Sequence, residues 1–219
     1  MNYWAFDLDG TLVDSFAHYF SALEEIFDEH GAKFSKELRE PALTNSLPQF
    51  FETHLGESKV EQALHRLEVR SHKDAAEIKP FHGIANAIEH LLSAGAKVAI
   101  LTNRDLVSTE LILKHTKLKR LAEICISGTC VTQRKPSPEG LLKVSNRFGC
   151  DVRHVTVVGD HLTDMEAAKA VGARAVRASW HSYWDIEQCK RADAQFFTVH
   201  EFTSWVRANQ PENRTSRPS

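Results

Sequence analysis

Between Lys97 and Ala178 short apolar, β-branched runs alternate with helix-patterned segments, and few folds accommodate that order. KVAIL at 97–101 reads as a strand, followed by a helix near 105–116. A strand at 122–127, a helix near 137–148, the strand HVTVVGD at 154–160, a helix near 163–171 and the strand ARAVRA at 173–178 complete the series. Strands separated by helices cannot pair as hairpins. They align in parallel, with helices over both faces of the sheet. The expected fold class is therefore α/β, with a doubly wound, Rossmann-like parallel sheet. Residues 3–8 supply one more buried strand, which ends abruptly in Asp7, Asp9 and Gly10. No element is assigned to residues 179–207, although they are counted with the core.

A different pattern separates the first strand from the alternating series. Phe16, Tyr19, Phe20, Leu23, Ile26 and Phe27 recur at three- and four-residue spacing, as on one face of a helix. Asp14 or Ser15 can cap its start, and Gly31 can end it. Residues 32–79 hold no convincing strand; short helices are expected around Pro41 and Pro48 and through Val60, Leu64 and Leu67. The expected organisation is a core of residues 1–14 and 80–207, a small all-helical cap of residues 15–79 inserted after the first strand, and a disordered tail at 208–219. Hinges are expected near 13–16 and 78–82. In open parallel sheets ligands bind at the carboxyl ends of the strands, so an insertion leaving from that edge lies over the site.

Composition narrows the partners. The formal charge of −2 favours neither nucleic acid nor an anionic membrane surface. The short basic run of Lys114, Lys117, Lys119 and Arg120 reads as a solvated helix end. No apolar stretch reaches the roughly 18–20 residues that cross a bilayer, and no signal-peptide pattern opens the sequence. The four cysteines, Cys125, Cys130, Cys150 and Cys189, form no CxxC pair and no zinc-ligand cluster with histidine, so free thiols in the cytoplasm are expected. The scattered histidines, among them His18, His54, His65, His72 and His82, show no metal-ligand spacing; they read as surface or satisfied core residues. Trp180, Tyr183 and Trp184 read as packing residues.

Three strands finish in polar groups that a parallel sheet brings to one edge: FDLDGTL with Asp7, Asp9, Gly10 and Thr11, AILTN with Thr102 and Asn103, and VVGD with Asp160, then Asp164. A fourth segment, RKPSPEG, offers Lys135 just before a helix. Carboxylates crowded into a partly dry site repel one another. A hard divalent cation relieves the repulsion, and Mg²⁺ fits because it takes one or two carboxylates and keeps waters that a phosphate can replace. Lys135 and a threonine hydroxyl suit the remaining phosphate oxygens, and Gly10 lets the backbone turn sharply so that its amide can approach an anion. With a phosphoester bound, Asp7 can attack phosphorus. Asp9 can give a proton to the leaving oxygen and later take one from water.

FDLDGTLVDS, ILTN, RKPSPEG and GDHLTDMEAAKAVG resemble, in order and spacing over about residues 3–178, the four motifs of the haloacid dehalogenase-like hydrolases. The helical insertion resembles the cap of that superfamily's phosphoglycolate-phosphatase-like branch. The resemblance implies a Mg²⁺-dependent phosphatase acting on a small phosphorylated metabolite through an aspartyl-phosphate, as a monomer or homodimer. It implies Asp7 as nucleophile and metal ligand, Asp9 as general acid/base with its backbone carbonyl on the metal, and Thr102 as the phosphate-binding hydroxyl. Lys135 is the implied brace of nucleophile and phosphate, Asp160 a direct metal ligand, and Asp164 the holder of a metal-bound water. The pair Asp7 and Asp9 points away from the dehalogenases, which lack the second acid.

Two positions depart from the pattern. His161 follows Asp160 where the family has a small hydroxyl residue; exposure to solvent is expected, with substrate contact as the other option. TNSL at 44–47 lacks the glycine of the specificity loop that relatives often carry, so the substrate does not carry over. Arg104 is expected at the surface, with substrate contact again the alternative. Bland roles stand beside the sharp ones: Thr102 and Asn103 as a helix cap, Lys135 as a solvated loop residue, Asp160 and Asp164 as caps of the following helix. Two rival functions remain. A phosphosugar mutase would share Asp7 and Asp9, and a catalytically silent binding protein would keep only the fold.

Overall fold

The computed structural model describes residues 2–181 and 192–209. The chain begins with β1 (Tyr3–Phe6) and the short β2 (Val13–Asp14). Four helices follow: α1 (Phe16–Glu29), α2 (Arg39–Thr44), α3 (Leu47–Leu55) and α4 (Val60–Asp74). Then come β3 (Lys79–Pro80), α5 (Ile84–Ser93), β4 (Lys97–Leu101), α6 (Leu106–Thr116), β5 (Ile124–Ile126) and α7 (Glu139–Phe148). The last elements are β6 (Val155–Gly159), α8 (Leu162–Ala170), β7 (Arg174–Ala178), β8 (Ala194–Phe196) and α9 (Val199–Ala208).

Six strands form one parallel sheet in the order β5-β4-β1-β6-β7-β8. From β1 the chain runs outward to β4 and β5, and from β6 it runs the other way to β7 and β8. The winding therefore reverses between β1 and β6, and a crevice opens at the carboxyl ends of those two strands. Both faces of the sheet are covered. Trp4, Phe6, Ile100 and Val158 join the core under α5 and α9, while Ala5, Ala99, Leu101 and Val157 join the core under α7 and α8. The period-two alternation of the strands thus feeds two cores, and the runs read as continuously apolar because neither face meets water.

The helices between β2 and β3 pack around a third core, which includes Phe20, Phe27, Phe50 and Phe51. Phe50→Ala should cost about 3–5 kcal/mol, because a fully buried phenyl leaves a cavity its neighbours only partly fill; urea denaturation checks this, and a loss below about 1 kcal/mol would mean that the third core is loose. β2 and β3 form a two-residue antiparallel ladder, Val13 opposite Pro80 and Asp14 opposite Lys79, where the chain enters and leaves the helical cap. Hinges are expected there but no strand, since two residues carry no periodicity. Gly31 ends α1 at φ +71, with the Ala32 amide returning to the Phe27 carbonyl.

β8 and α9 lie in the region to which the sequence pattern assigns no element. α9 is closed by a capping box between Thr198 and Glu201 and runs to Ala208, one residue into the stretch read as tail; Asn209 caps its end, and residues 210–219 lie outside the described residues. Trp180 packs on Phe81 and Phe202, as expected of a core residue. Tyr183, Trp184 and Cys189 lie outside the described residues; Cys125, Cys130 and Cys150 are free thiols. Lys119 and Arg120 form exposed ion pairs with Glu110 and Glu89, as a solvated helix end would. Among the described residues no helix is long and apolar enough to cross a membrane.

Candidate active site

The crevice between β1 and β6 collects the acids that sequence analysis placed on strand ends. Asp7 follows β1 directly, with its amide bonded to the Val158 carbonyl at 2.8 Å. Asp160 follows β6. Asp164 lies one turn into α8, which packs back against β6 and β7. One carboxylate oxygen from each of Asp7, Asp160 and Asp164 lies within 4.8 Å of the others, and all three residues are buried. Two glycines make this closeness possible. A Cβ on Gly159 would stand 2.3 Å from the Asp164 carboxyl carbon, and one on Gly10, at φ +75, would stand 2.2 Å from Asp160 Oδ2. The Gly10 amide, expected to face an anion, is instead bonded to the Val13 carbonyl at 2.9 Å, because the turn folds back on itself.

Lys135 reaches this cluster from the loop between β5 and α7. Its Nζ donates to Asp7 Oδ1 and to Asp164 Oδ1, both at 2.6 Å, and to the Leu101 carbonyl at 3.0 Å. Its side chain is only 5% exposed, so the solvated-loop alternative is excluded. Burial works against the ammonium, yet Asp164 and Asp7 hold its pKa well above that of an ordinary lysine. Burial pushes the Asp7 carboxyl well above the usual carboxylate range; Lys135 pulls it back, while Asp164, Asp160 and Asp9 add to the rise. Three buried carboxylates around one ammonium leave net negative charge, a situation that favours either a proton or a cation.

Asp164 serves two purposes at once. Its Oδ2 accepts the His161 amide at 3.2 Å and closes a capping box at the start of α8, while Oδ1 receives Lys135. His161 itself caps α8: its Nδ1 accepts the Thr163 amide at 3.4 Å and lies 3.0 Å from Thr163 Oγ1. It is half-buried rather than turned to solvent as expected. Thr11 is buried with its Oγ1 3.4 Å from Asp160 Oδ1, a long contact.

Thr102 and Asn103 leave the carboxyl end of β4. The cap of α6 is Asp105, whose Oδ1 accepts the Ser108 amide at 2.8 Å, so neither residue is spent as a helix cap. Thr102 is buried, and its Oγ1 accepts the Arg104 amide at 3.1 Å. Asn103, expected to contact substrate, is committed on both sides of its amide: Nδ2 donates to the Lys135 carbonyl at 3.0 Å and Oδ1 accepts the Lys135 amide at 2.9 Å. It thereby fixes the backbone that carries the site lysine.

Asp9 stands apart from the three clustered acids. Its Oδ2 accepts Arg104 Nε at 3.0 Å, and its Oδ1 accepts Arg104 Nη2 at 2.7 Å and Ser15 Oγ at 2.5 Å. Burial opposes its charge, but Arg104 and Ser15 hold the carboxyl below the usual range. Arg104 is thus no surface residue: an acid 95 positions away recruits it. Ser15 begins α1 but makes no side-chain cap bond, since its hydroxyl goes to Asp9. His181 joins the site without any motif to announce it. Its Nε2 lies 3.0 Å from Asp160 Oδ2, and its ring packs on Phe16 and Phe81. One signal was present for both residues, since each follows the carboxyl end of a sheet strand.

The profile of the haloacid dehalogenase-like hydrolases matches residues 5–178. Over 200 residues the chain is 26% identical to a phosphoglycolate phosphatase of Neisseria meningitidis, covering 87% of this chain and 85% of that protein. It is 27% identical to the pyrophosphatase PpaX of Bacillus cereus, covering 80% of this chain and 82% of the relative. A crystal structure of CbbY from Rhodobacter sphaeroides in complex with phosphate shares the fold at a TM-score of 0.80 and 22% identity, over 93% of this chain and 96% of that one. With its acids gathered at the reversal point of the sheet beneath a helical cap, the chain belongs to the haloacid dehalogenase-like hydrolases, in their phosphoglycolate-phosphatase-like branch, and is a phosphoric monoester hydrolase.

Proposed function

We propose that the protein hydrolyses a small phosphorylated metabolite by way of a phosphoryl group carried on Asp7, with Mg²⁺ held by Asp7, Asp160 and Asp164. The observation that carries this reading is the Lys135 ammonium bonded to both Asp7 and Asp164, with Asp160 alongside. The donor set suits Mg²⁺, a hard cation that takes carboxylate oxygens: one oxygen from each of three buried aspartates lies within 4.8 Å of the others. A bound Mg²⁺ supplies positive charge to the carboxylates and to the phosphate oxygens.

The remaining chemistry belongs to the side chains. Asp7 attacks phosphorus; a carboxylate–phosphorus bond forms and the ester P–O bond breaks. Asp9, once it has left Arg104 and taken up a proton, delivers that proton to the departing alkoxide, which leaves as an alcohol. Water then attacks the phosphoryl group and gives its proton to Asp9, and Asp7 leaves with inorganic phosphate released. Lys135 orients Asp7 and balances charge on the transferred group, Thr102 offers a hydroxyl to its oxygens, and Asn103 keeps Lys135 in place. The cap admits substrate and limits water.

Phosphate release from a panel of phosphosugars, nucleotides, pyrophosphate and phosphoglycolate, with Mg²⁺ and with chelator, tests the reading. Release that ignores the chelator removes the metal, and isomerised hexose phosphate without free phosphate would assign a mutase. Asp160→Asn should raise the Mg²⁺ concentration for half-maximal rate by ~10-fold or more, the range seen when metal-site shells are altered; an unchanged titration removes Asp160 from the ligands.

A further inference from the structure

Arg104 occupies the boundary between sheet and cap. Its Nε and Nη2 grip both oxygens of Asp9 from one side, and its Nη1 donates to the hydroxyl of Ser71 on α4 at 2.6 Å. The side chain is only 15% exposed. A guanidinium does not lose its proton, so a fixed positive charge stands in a largely dry crevice beside the phosphoryl-transfer residues. Lys135, the cation on Asp7, is locked deeper between Asp7 and Asp164. Arg104 is therefore the site cation closest to the cap, with an edge already shaped around a carboxylate.

The carboxylate it holds belongs to Asp9, the residue that must move protons in the reaction. While the pair is intact Asp9 is held facing Arg104 and Ser15 by three hydrogen bonds. An incoming oxyanion offers the same acceptor chemistry and can take its place on the fork.

We propose, resting on the phosphatase reading above, that Arg104 is the residue that selects substrate: its fork receives a second anionic group of the phosphomonoester, and in receiving it releases Asp9. Selection thus comes from the core side of the crevice, from a side chain at the end of β4, with Ser71 holding the guanidinium toward the cap. A neutral substrate of the same length gains nothing from the fork and leaves Asp9 tied.

Calorimetric binding in an Asp7→Asn background tests recognition apart from turnover. The ligands are phosphoglycolate, with a carboxylate, pyrophosphate, with a second phosphate, and 2-hydroxyethyl phosphate, which is neutral at that end; Mg²⁺ is present throughout. Adding Arg104→Gln should weaken binding of the anionic ligands by on the order of 10²-fold, as for truncation of one partner in a buried charge pair, and leave the neutral one within a few-fold. Arg104→Lys should recover part of the loss. The preference for anionic over neutral ligand should rise when Asp9→Asn removes the competing carboxylate. Equal losses for all three ligands, or no binding of either anionic ligand, overturns the proposal, and a preference that does not rise with Asp9→Asn overturns the exchange. If binding depends on Arg104 as stated while the otherwise unmodified enzyme releases no phosphate, recognition stands and the hydrolytic reading fails.

Discussion

Asp7→Asn should abolish turnover while leaving the fold intact. An amide oxygen is a poor nucleophile toward phosphorus, and no other carboxylate extends directly from the end of β1. The expected fall in kcat is at least ~10⁴-fold, the scale seen when a nucleophile of a covalent mechanism is removed. The substitution is nearly isosteric, and it takes away one of three buried carboxylates that repel one another, with Lys135 still bound to Asp164. The melting temperature should therefore stay within a few degrees of wild type. Steady-state phosphate release checks the first statement and circular dichroism the second. Appreciable activity in the variant would take the nucleophile role away from Asp7.

Lys135→Met should unfold the metal-free protein more readily than any surface change. The ammonium is the partner of Asp7 and Asp164 and is itself buried. Removing one member of a buried ionic cluster leaves charges uncompensated and costs about 3–5 kcal/mol. For a chain of this size that corresponds to a drop in Tm of about 6–20 °C. Saturating Mg²⁺ should raise the Tm of the variant more than that of wild type, because the cation supplies the charge that the lysine no longer does. Thermal melts of both proteins in chelator and in Mg²⁺ decide the matter. A variant that melts like wild type in chelator would show that the acids there take up protons instead of repelling, and the account of the cluster as ionised would be lost.

Particular elements show why some of this was readable in the amino-acid sequence and some was not. β1, β4 and β6 are runs of apolar residues buried on both faces, and burial of that kind leaves a contiguous signature. Each ends where the chain meets the crevice, so the change from apolar to polar at Asp7, Thr102 and Asp160 marked both the strand end and the site. The spacing of Phe16, Phe20, Leu23 and Phe27 marked α1 in the same way. By contrast, β8 is three half-buried residues at a sheet edge, and β2 with β3 is a ladder of two pairs; neither is long enough to show a period. Where a role is set by a partner far away in the chain, the strand end can mark the residue but not the partner. Arg104 and Asp9 are 95 positions apart, and His181 and Asp160 are 21. Asn103 looked free to meet substrate because nothing near it in sequence reveals that Lys135 takes both ends of its amide. Lys135 on Asp7 spans 128 positions and was anticipated only through the resemblance of its motif.

The ladder of Val13–Asp14 against Lys79–Pro80 has a consequence beyond holding the cap in place. Paired antiparallel residues lie about 5 Å apart, so the segment they enclose begins and ends at nearly the same point. To the sheet, its length and content are immaterial, much as a lampshade is to the fitting it screws into. A shorter or longer insert whose ends meet at that spacing could be spliced in without moving Asp7, Lys135 or Asp160, so the cover can vary in size while Arg104 and the reacting groups stay with the sheet.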